Sequence, residues 1–256
     1  MFFTSPCDTV KSVAVSSRKG LLFMKRKETL DRRPVIPGEA ALGIALVINT
    51  LGVILMLYSG SGISAISSVP YAFSRVFPVF TLGTWTYLFQ GVLVLSLMIM
   101  RRSFVPSYMF SFVIGFIFGK LLDIHCLWVN VLPDTLPWRI SYFVISYVLI
   151  CIGIALCNRC GLPITPTDLF PRELTAITSF RYSRIKIGFD ALCITATAAM
   201  TYFALGHISG LGIGTVLAAL TMGKVIDIFG TQMDSRFTFR AYLPERAERL
   251  LKSAAR

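Results

Sequence analysis

The sequence predicts an all-α, polytopic membrane protein, with six transmembrane helices arranged as two inverted three-helix repeats. Its 256 residues are 55% apolar and only 15% charged, against about 25% charged in soluble domains. Six nearly uncharged stretches are each long enough to cross the roughly 30 Å of a bilayer's hydrocarbon. A six-residue sequence from the middle of the chain also returns near its end. The formal charge of +12 is packed into the ends of the chain and a few short connections, which excludes a nucleic-acid-coating protein and leaves the bilayer as the expected solvent.

Residues 1–38 form a basic segment without the apolar core and small-residue cleavage site of a secretory signal. Met24-Lys25-Arg26-Lys27 reads as a natural start, with 1–23 an upstream, disordered extension. Pro, Gly and charge then bound spans at 40–58, 82–100, 104–124, 140–158, 187–205 and 208–229. The first three fall in one repeat, 39–125, and the last three in a second, 139–230. The basic tail, 231–256, contains a run from Pro244 to Lys252 that reads as a short amphipathic helix lying on the membrane surface.

Of the 25 Lys and Arg residues, 21 fall on one side of this arrangement, while Arg75 and Arg139 fall on the other and Lys120 and Lys224 inside spans. Basic residues near span ends are retained in the cytoplasm. Both termini are therefore expected there, in a multi-pass protein of the plasma (inner) membrane. The six cysteines have no regular spacing; they do not form a disulfide framework, and most pack as small hydrophobes.

The repeat is the most informative feature. Gly119-Lys120-Leu121-Leu122-Asp123-Ile124 returns as Gly223-Lys224-Val225-Ile226-Asp227-Ile228 at an offset of 104, with Gly115 matched by Ala219. A second echo, at an offset of 101, matches Gly60, Ile63, Ser64 and Pro70 to Gly161, Ile164, Thr165 and Pro171. Three spans per copy is an odd number of crossings, so the copies run in opposite directions, the plan of many secondary transporters.

The basic amino terminus, the Gly-rich first span, the segment Gly161-Leu162-Pro163-Ile164-Thr165-Pro166-Thr167-Asp168-Leu169 and the closing Gly210-Leu211-Gly212-Ile213-Gly214-Thr215 resemble the bacterial YczE/YyaS/YitT family of integral membrane proteins, over about residues 38–230. The resemblance implies a plasma-membrane permease, and it brings no established substrate or site. The first repeat departs from the pattern at Ser67, where the second has Asp168.

Ionisable groups inside spans cost roughly 2.5–3.5 kcal/mol on insertion scales and mark function by default. They are Lys120, Asp123, Asp190, Lys224 and Asp227. Lys120 with Asp123 falls near the outer mouth and Lys224 with Asp227 near the inner one. Their i, i+3 spacing allows each pair to neutralise itself or to exchange partners with a neighbouring helix. As gates of a central cavity they would leave Asp190 or Asp227 to couple a proton or cation; the plainer reading has each Lys snorkelling and each Asp capping a helix end. The Gly/Ser/Thr/Pro connections, 60–70 and 161–171, form a second candidate site. If they re-enter the membrane, Ser64, Ser67, Ser68, Thr165, Thr167 and Asp168 coordinate a solute; if they lie outside it, Pro70 and Pro171 begin short surface helices. Gly115, Gly119, Ala219 and Gly223 are read as helix-packing positions.

No metal, cofactor or hydrolase motif is present, and Cys157-Asn158-Arg159-Cys160 is a lone pair. The expected function is a small-solute permease, not an enzyme, with the lipid bilayer and a small solute as partners and a second copy or transporter subunits as protein partners. Two rivals are a substrate-capture subunit of an energy-coupling-factor transporter, for which the small-residue face of Ala41-Leu42-Gly43-Ile44-Ala45 argues, and a non-transporting accessory or scaffold protein.

Overall fold

The computed structural model describes residues 34–102, 105–178, 180 and 182–242. The basic segment through Arg33 and the amphipathic run from Pro244 lie outside the described residues. In order, the chain forms β1 (Val35–Pro37), α1 (Gly38–Tyr58), α2 (Ala65–Val76), α3 (Leu82–Arg101), α4 (Pro106–Trp128), α5 (Leu136–Cys157), α6 (Pro166–Thr178), α7 (Tyr182–Leu205), α8 (Ile213–Arg236) and β2 (Thr238–Arg240), with a single 3-10 turn at Val129–Val131 after α4. All but α2 and α6 among the helices are long and apolar enough to cross a membrane, and the chain is an integral, multi-pass membrane protein.

Several boundaries move, each for a local reason. The sixth span starts at Ile213 rather than 208, because Gly210 sits at φ +80° and its carbonyl accepts from the Ile63 N–H at 2.9 Å across the bundle. It also runs on to Arg236, past the expected start of the tail. The fifth span starts at Tyr182 rather than 187, because Lys186 pairs with Asp190 one turn later and its charge does not end the helix. The third runs on to Trp128, since Asp123 finds partners on a neighbouring helix. Pro70 and Pro171 do not begin α2 and α6 but lie inside them, both buried.

The strands β1 and β2 pair in parallel, Val35 with Thr238 and Pro37 with Arg240. The start of α1 and the end of α8 therefore lie on the same face, as an even number of crossings requires. At the centre α1 and α5 cross antiparallel. Gly38 packs on the Cys160 carbonyl, Asn49 on Gly153, Gly52 on Ile150, and the Tyr58 ring lies 5.8 Å from that of Tyr142, so one sequence ascends as the other descends. The Gly52–Ile150 and Gly153–Asn49 contacts interchange when positions are shifted by 101 residues. That exchange is consistent with a pseudo-two-fold axis between oppositely threaded copies.

The rest of the packing obeys the same axis. The short helix of each repeat packs on its own copy and also reaches across to the other: α2 lies along α7, and α6 along α3. Gly60 and Gly161, equivalent by the offset of 101, both adopt φ near +70° (+72° and +68°) at the turns that lead to these helices, a conformation open to glycine and costly for other residues. Apolar attraction between helices is weak in lipid, so close approach depends on small residues. The axis is nevertheless broken where the last two spans of each repeat meet. α3 and α4 pack closely through Gly83 and Gly119, with Tyr87 between Phe112 and Phe116; α7 and α8 barely touch.

Candidate functional site

The site grows from the first turn of α6. Pro166 opens the helix, a position where its missing N–H costs nothing. The Thr165 carbonyl accepts from the Asp168 and Leu169 N–H groups at 3.0 and 2.9 Å, and the Thr165 hydroxyl donates to Asp168 Oδ2 at 2.8 Å. This local knot fixes the Asp168 carboxylate on the turn that α6 presents to the opposite repeat.

Three helices pack against α6. α7 brings Lys186 and Asp190; Lys186 Nζ donates to both carboxylate oxygens at 2.9 Å, and Asp190 is only 4% exposed. α3 brings Gln90 and α4 brings Ser111 and Gly115, with Gln90 and Ser111 fully enclosed. The Gln90 amide rests on Gly115, where an added Cβ would strike Gln90 Oε1 and lie 3.3 Å from Pro166 Cδ. Neither atom of that amide, nor the Ser111 hydroxyl, has a hydrogen-bond partner. Towards the same end, Arg101 meets Glu173 at 2.8 Å and the Tyr108 hydroxyl donates to Glu173 at 2.6 Å, tying α3, α4 and α6 together. Burial holds the Asp168 carboxyl above the usual carboxylate range; Thr165 and then Lys186 pull it down, and Asp190 adds a little upward.

Position by position, the equivalent site around α2 is different. Asp168 is matched by Ser67, Lys186 by Leu82, Asp190 by Thr86 and Gln90 by Ile194. There the polar groups are hydroxyls, and those with partners are held by protein: Ser64 donates to Ser67 at 2.9 Å, Ser68 and Thr197 share a bond of 2.8 Å, and Thr215, the mate of Ser111, donates to the Ile63 carbonyl at 2.7 Å. The Gly214 N–H to Ser61 carbonyl bond of 2.9 Å helps to tie that connection to the start of α8. One of two equivalent junctions is therefore neutral and fastened, the other charged with buried donors and acceptors unspent.

The remaining expected residues scatter. Asp123 accepts from the Gly83 N–H and the Thr81 hydroxyl, both at 2.8 Å, at the start of α3. Lys120 is exposed and lies over the Phe116 ring, 5.6 Å from its centre, and neither it nor Lys224 forms an ion pair among the described residues. Asp227 is exposed beside Lys224 on α8. Neither Lys thus pairs with the Asp three residues on; Asp123 instead caps the start of α3. Thr167 is half-buried in the first turn of α6. Gly115 and Gly119 sit at close crossings and Ala219 is half-buried, but Gly223 faces open space, since α8 stands off from α7. Of the Ala41–Ala45 segment, Ala41 and Ala45 turn inward, 1% and 0% exposed, in the cluster with Val94, Leu97 and Tyr108, while Gly43 and Ile44 are exposed.

Sequence reading missed Gln90, Ser111 and Lys186 as members of a site. The signal lay in the repeat itself, where Gln90 against Ile194 and Lys186 against Leu82 mark departures of one copy from the other. A model of DUF6198, a family of unknown function, matches residues 38–231, about three quarters of the chain. Neither a curated protein nor a solved structure matches it.

Proposed function

The chain belongs to DUF6198, a family of unknown function, and we propose that it is a small-solute permease of the plasma membrane, with both termini in the cytoplasm, working by exchange between two arrangements of its repeats. The observation that carries this reading is the broken two-fold: two equivalent junctions, one tied shut by Thr215 and Ser61, the other with unpartnered Ser111 and Gln90 on the helices that pack against α6. An inverted pair with one junction closed and its mate unclosed supplies what alternating access requires. The resemblance of the glycine-rich segments to YczE/YyaS/YitT proteins supports this reading.

Single cysteines at Ser111 and at Thr215, in a full chain whose native cysteines are replaced by alanine, test the reading in oriented vesicles with a membrane-impermeant thiol reagent. A permease labels at both positions, each from the opposite face. Failure of both positions to label from either face overturns it.

A further inference from the structure

We propose that the exposed face of α8 is a homodimer interface, on which Lys224 of each copy pairs with Asp227 of the second copy. In repeat 1 the corresponding face of α4 is a helix seat. Gly115 receives the Gln90 amide, Gly119 crosses Gly83, and Asp123 accepts from the Gly83 N–H and the Thr81 hydroxyl, all of them on α3 or at its start. At the offset of 104 the same stripe returns on α8 as Ala219, Gly223 and Asp227. There α7 stands off, Gly223 meets nothing within 4 Å, and Gly223, Lys224 and Asp227 are all exposed. Val216, Leu217 and Leu220 continue the exposed face toward the start of the helix. One copy of a helix-docking surface is used and the other is left uncovered.

Depth makes the uncovered charges decisive. Lys224 stands eleven residues from Ile213 and twelve from Arg236, about 16–18 Å from either end of α8 at a rise of 1.5 Å per residue, beyond the reach of its four-carbon stem. Ile226, between the two charges and Arg236, packs with Cys151 and Ala155, the residues that flank Gly153 where it meets Asn49 of α1. Ionisable groups this deep in a span face protein or water, or pair, because hydrocarbon solvates neither sign of charge. On the outer surface of one copy Lys224 and Asp227 have neither cover nor an ion-pair partner among the described residues, and Lys before Asp is the weaker order for a pair within one helix.

A second copy is the occupant that this face specifies. The face carries one positive and one negative group a turn apart, so it complements itself, as an isologous two-fold interface requires. Both copies insert in the same sense, which sets the two-fold along the membrane normal and the two α8 helices parallel. Lys224 of each then answers Asp227 of the other, and Ala219 and Gly223 admit the close approach. A lipid chain brings no charge, and a partner with a single charge leaves one of the two unanswered. The inference does not depend on transport.

Disulfide crosslinking in membranes with copper–phenanthroline tests it, in the full chain with its native cysteines replaced by alanine. A disulfide requires Cα atoms within about 7 Å, so Leu220→Cys, one turn before Lys224, is expected to give a covalent dimer, whereas Leu192→Cys, exposed on α7, is not. Adding Lys224→Asp or Asp227→Lys to Leu220→Cys is expected to lower the dimer fraction about threefold or more, the scale of polar contacts between helices in membranes. The two reversals together restore it. Should a single reversal fail to insert, Lys224→Met with Asp227→Leu keeps the span apolar and is expected to lower the fraction likewise. No dimer through Leu220, equal crosslinking through Leu192, an undiminished dimer in the apolar pair, or a double reversal no better than the single ones overturns the proposal.

Discussion

Gly119 and Gly223 are the same position in two copies of one sequence, yet the structure predicts opposite responses to alanine. A Cβ on Gly119 would stand 2.6 Å from the Gly83 carbonyl oxygen and 3.4 Å from the Tyr87 Cβ. The first obstacle is backbone and cannot swing aside, so α3 and α4 must part. Overpacking of this kind costs about 1–3 kcal/mol. Parting also strains the bond from the Gly83 N–H to Asp123, a charged hydrogen bond worth about 1.5–3 kcal/mol when lost outright. Alanine returns about 1 kcal/mol of helix propensity, leaving a net loss of roughly 2 kcal/mol or more. At Gly223 nothing lies within 4 Å, so only the propensity gain of up to about 1 kcal/mol remains. The assay is thermal unfolding of the full chain in a mild detergent, where about 2–4 °C accompanies each kcal/mol in a chain of this size. Gly119→Ala is expected to melt below the unmodified protein and Gly223→Ala at or above it. Equal losses at both positions would show α7 and α8 packed as closely as α3 and α4, and would refute the packing asymmetry between the two repeats.

Asp123→Ala, which removes the acceptor of two bonds at the start of α3, is expected to cost about 1–2 kcal/mol in the same melt, whereas Lys120→Ala leaves the midpoint nearly unmoved; equal effects would revive the idea of an internal Lys–Asp gate. Replacing Lys186 and Asp190 together with their repeat-1 counterparts, Leu and Thr, is expected to be milder than Lys186→Leu alone, because removing Lys186 strands the buried Asp190 carboxylate at a cost of about 3–5 kcal/mol; a double-mutant cycle without coupling contradicts the pairing. For Asp168, burial raises the folded-state pKa, so the associated stability is fully present below the unfolded value of about 3.9 and is lost as pH rises through the folded value. Asp168→Asn should therefore unfold at a higher temperature than the parent at neutral pH and at the same temperature near pH 3.5; the reverse order would place Asp168 in a compensated environment.

The glycines show how far a linear reading reaches. Gly60 and Gly161 announce their turns in the sequence because φ near +70° is a local requirement, and the residues that meet it are adjacent. Gly119 and Gly223 look identical because packing is not local: what each meets depends on a helix about 30 residues away in one copy, and in the other copy on one that never arrives. Lys120 and Asp123 invited pairing by their i, i+3 spacing, but Thr81 and the Gly83 N–H, from a different helix, compete for the carboxylate and win it. Gln90 carried no motif at all. It becomes conspicuous only as an amide in place of the isoleucine of the other copy, enclosed where nothing answers it.

The sequence by itself determined the solvent, the number of crossings and the duplication, because hydrocarbon thickness and the ban on unsatisfied backbone in lipid act on each span separately. Only the tertiary structure decided which charges are spent on caps, which face of α1 is covered, and which of two equivalent junctions keeps unpaired polar groups. Those outcomes depend on the approach of helices distant in the chain, and pseudo-symmetry in sequence does not oblige two packed surfaces to close equally.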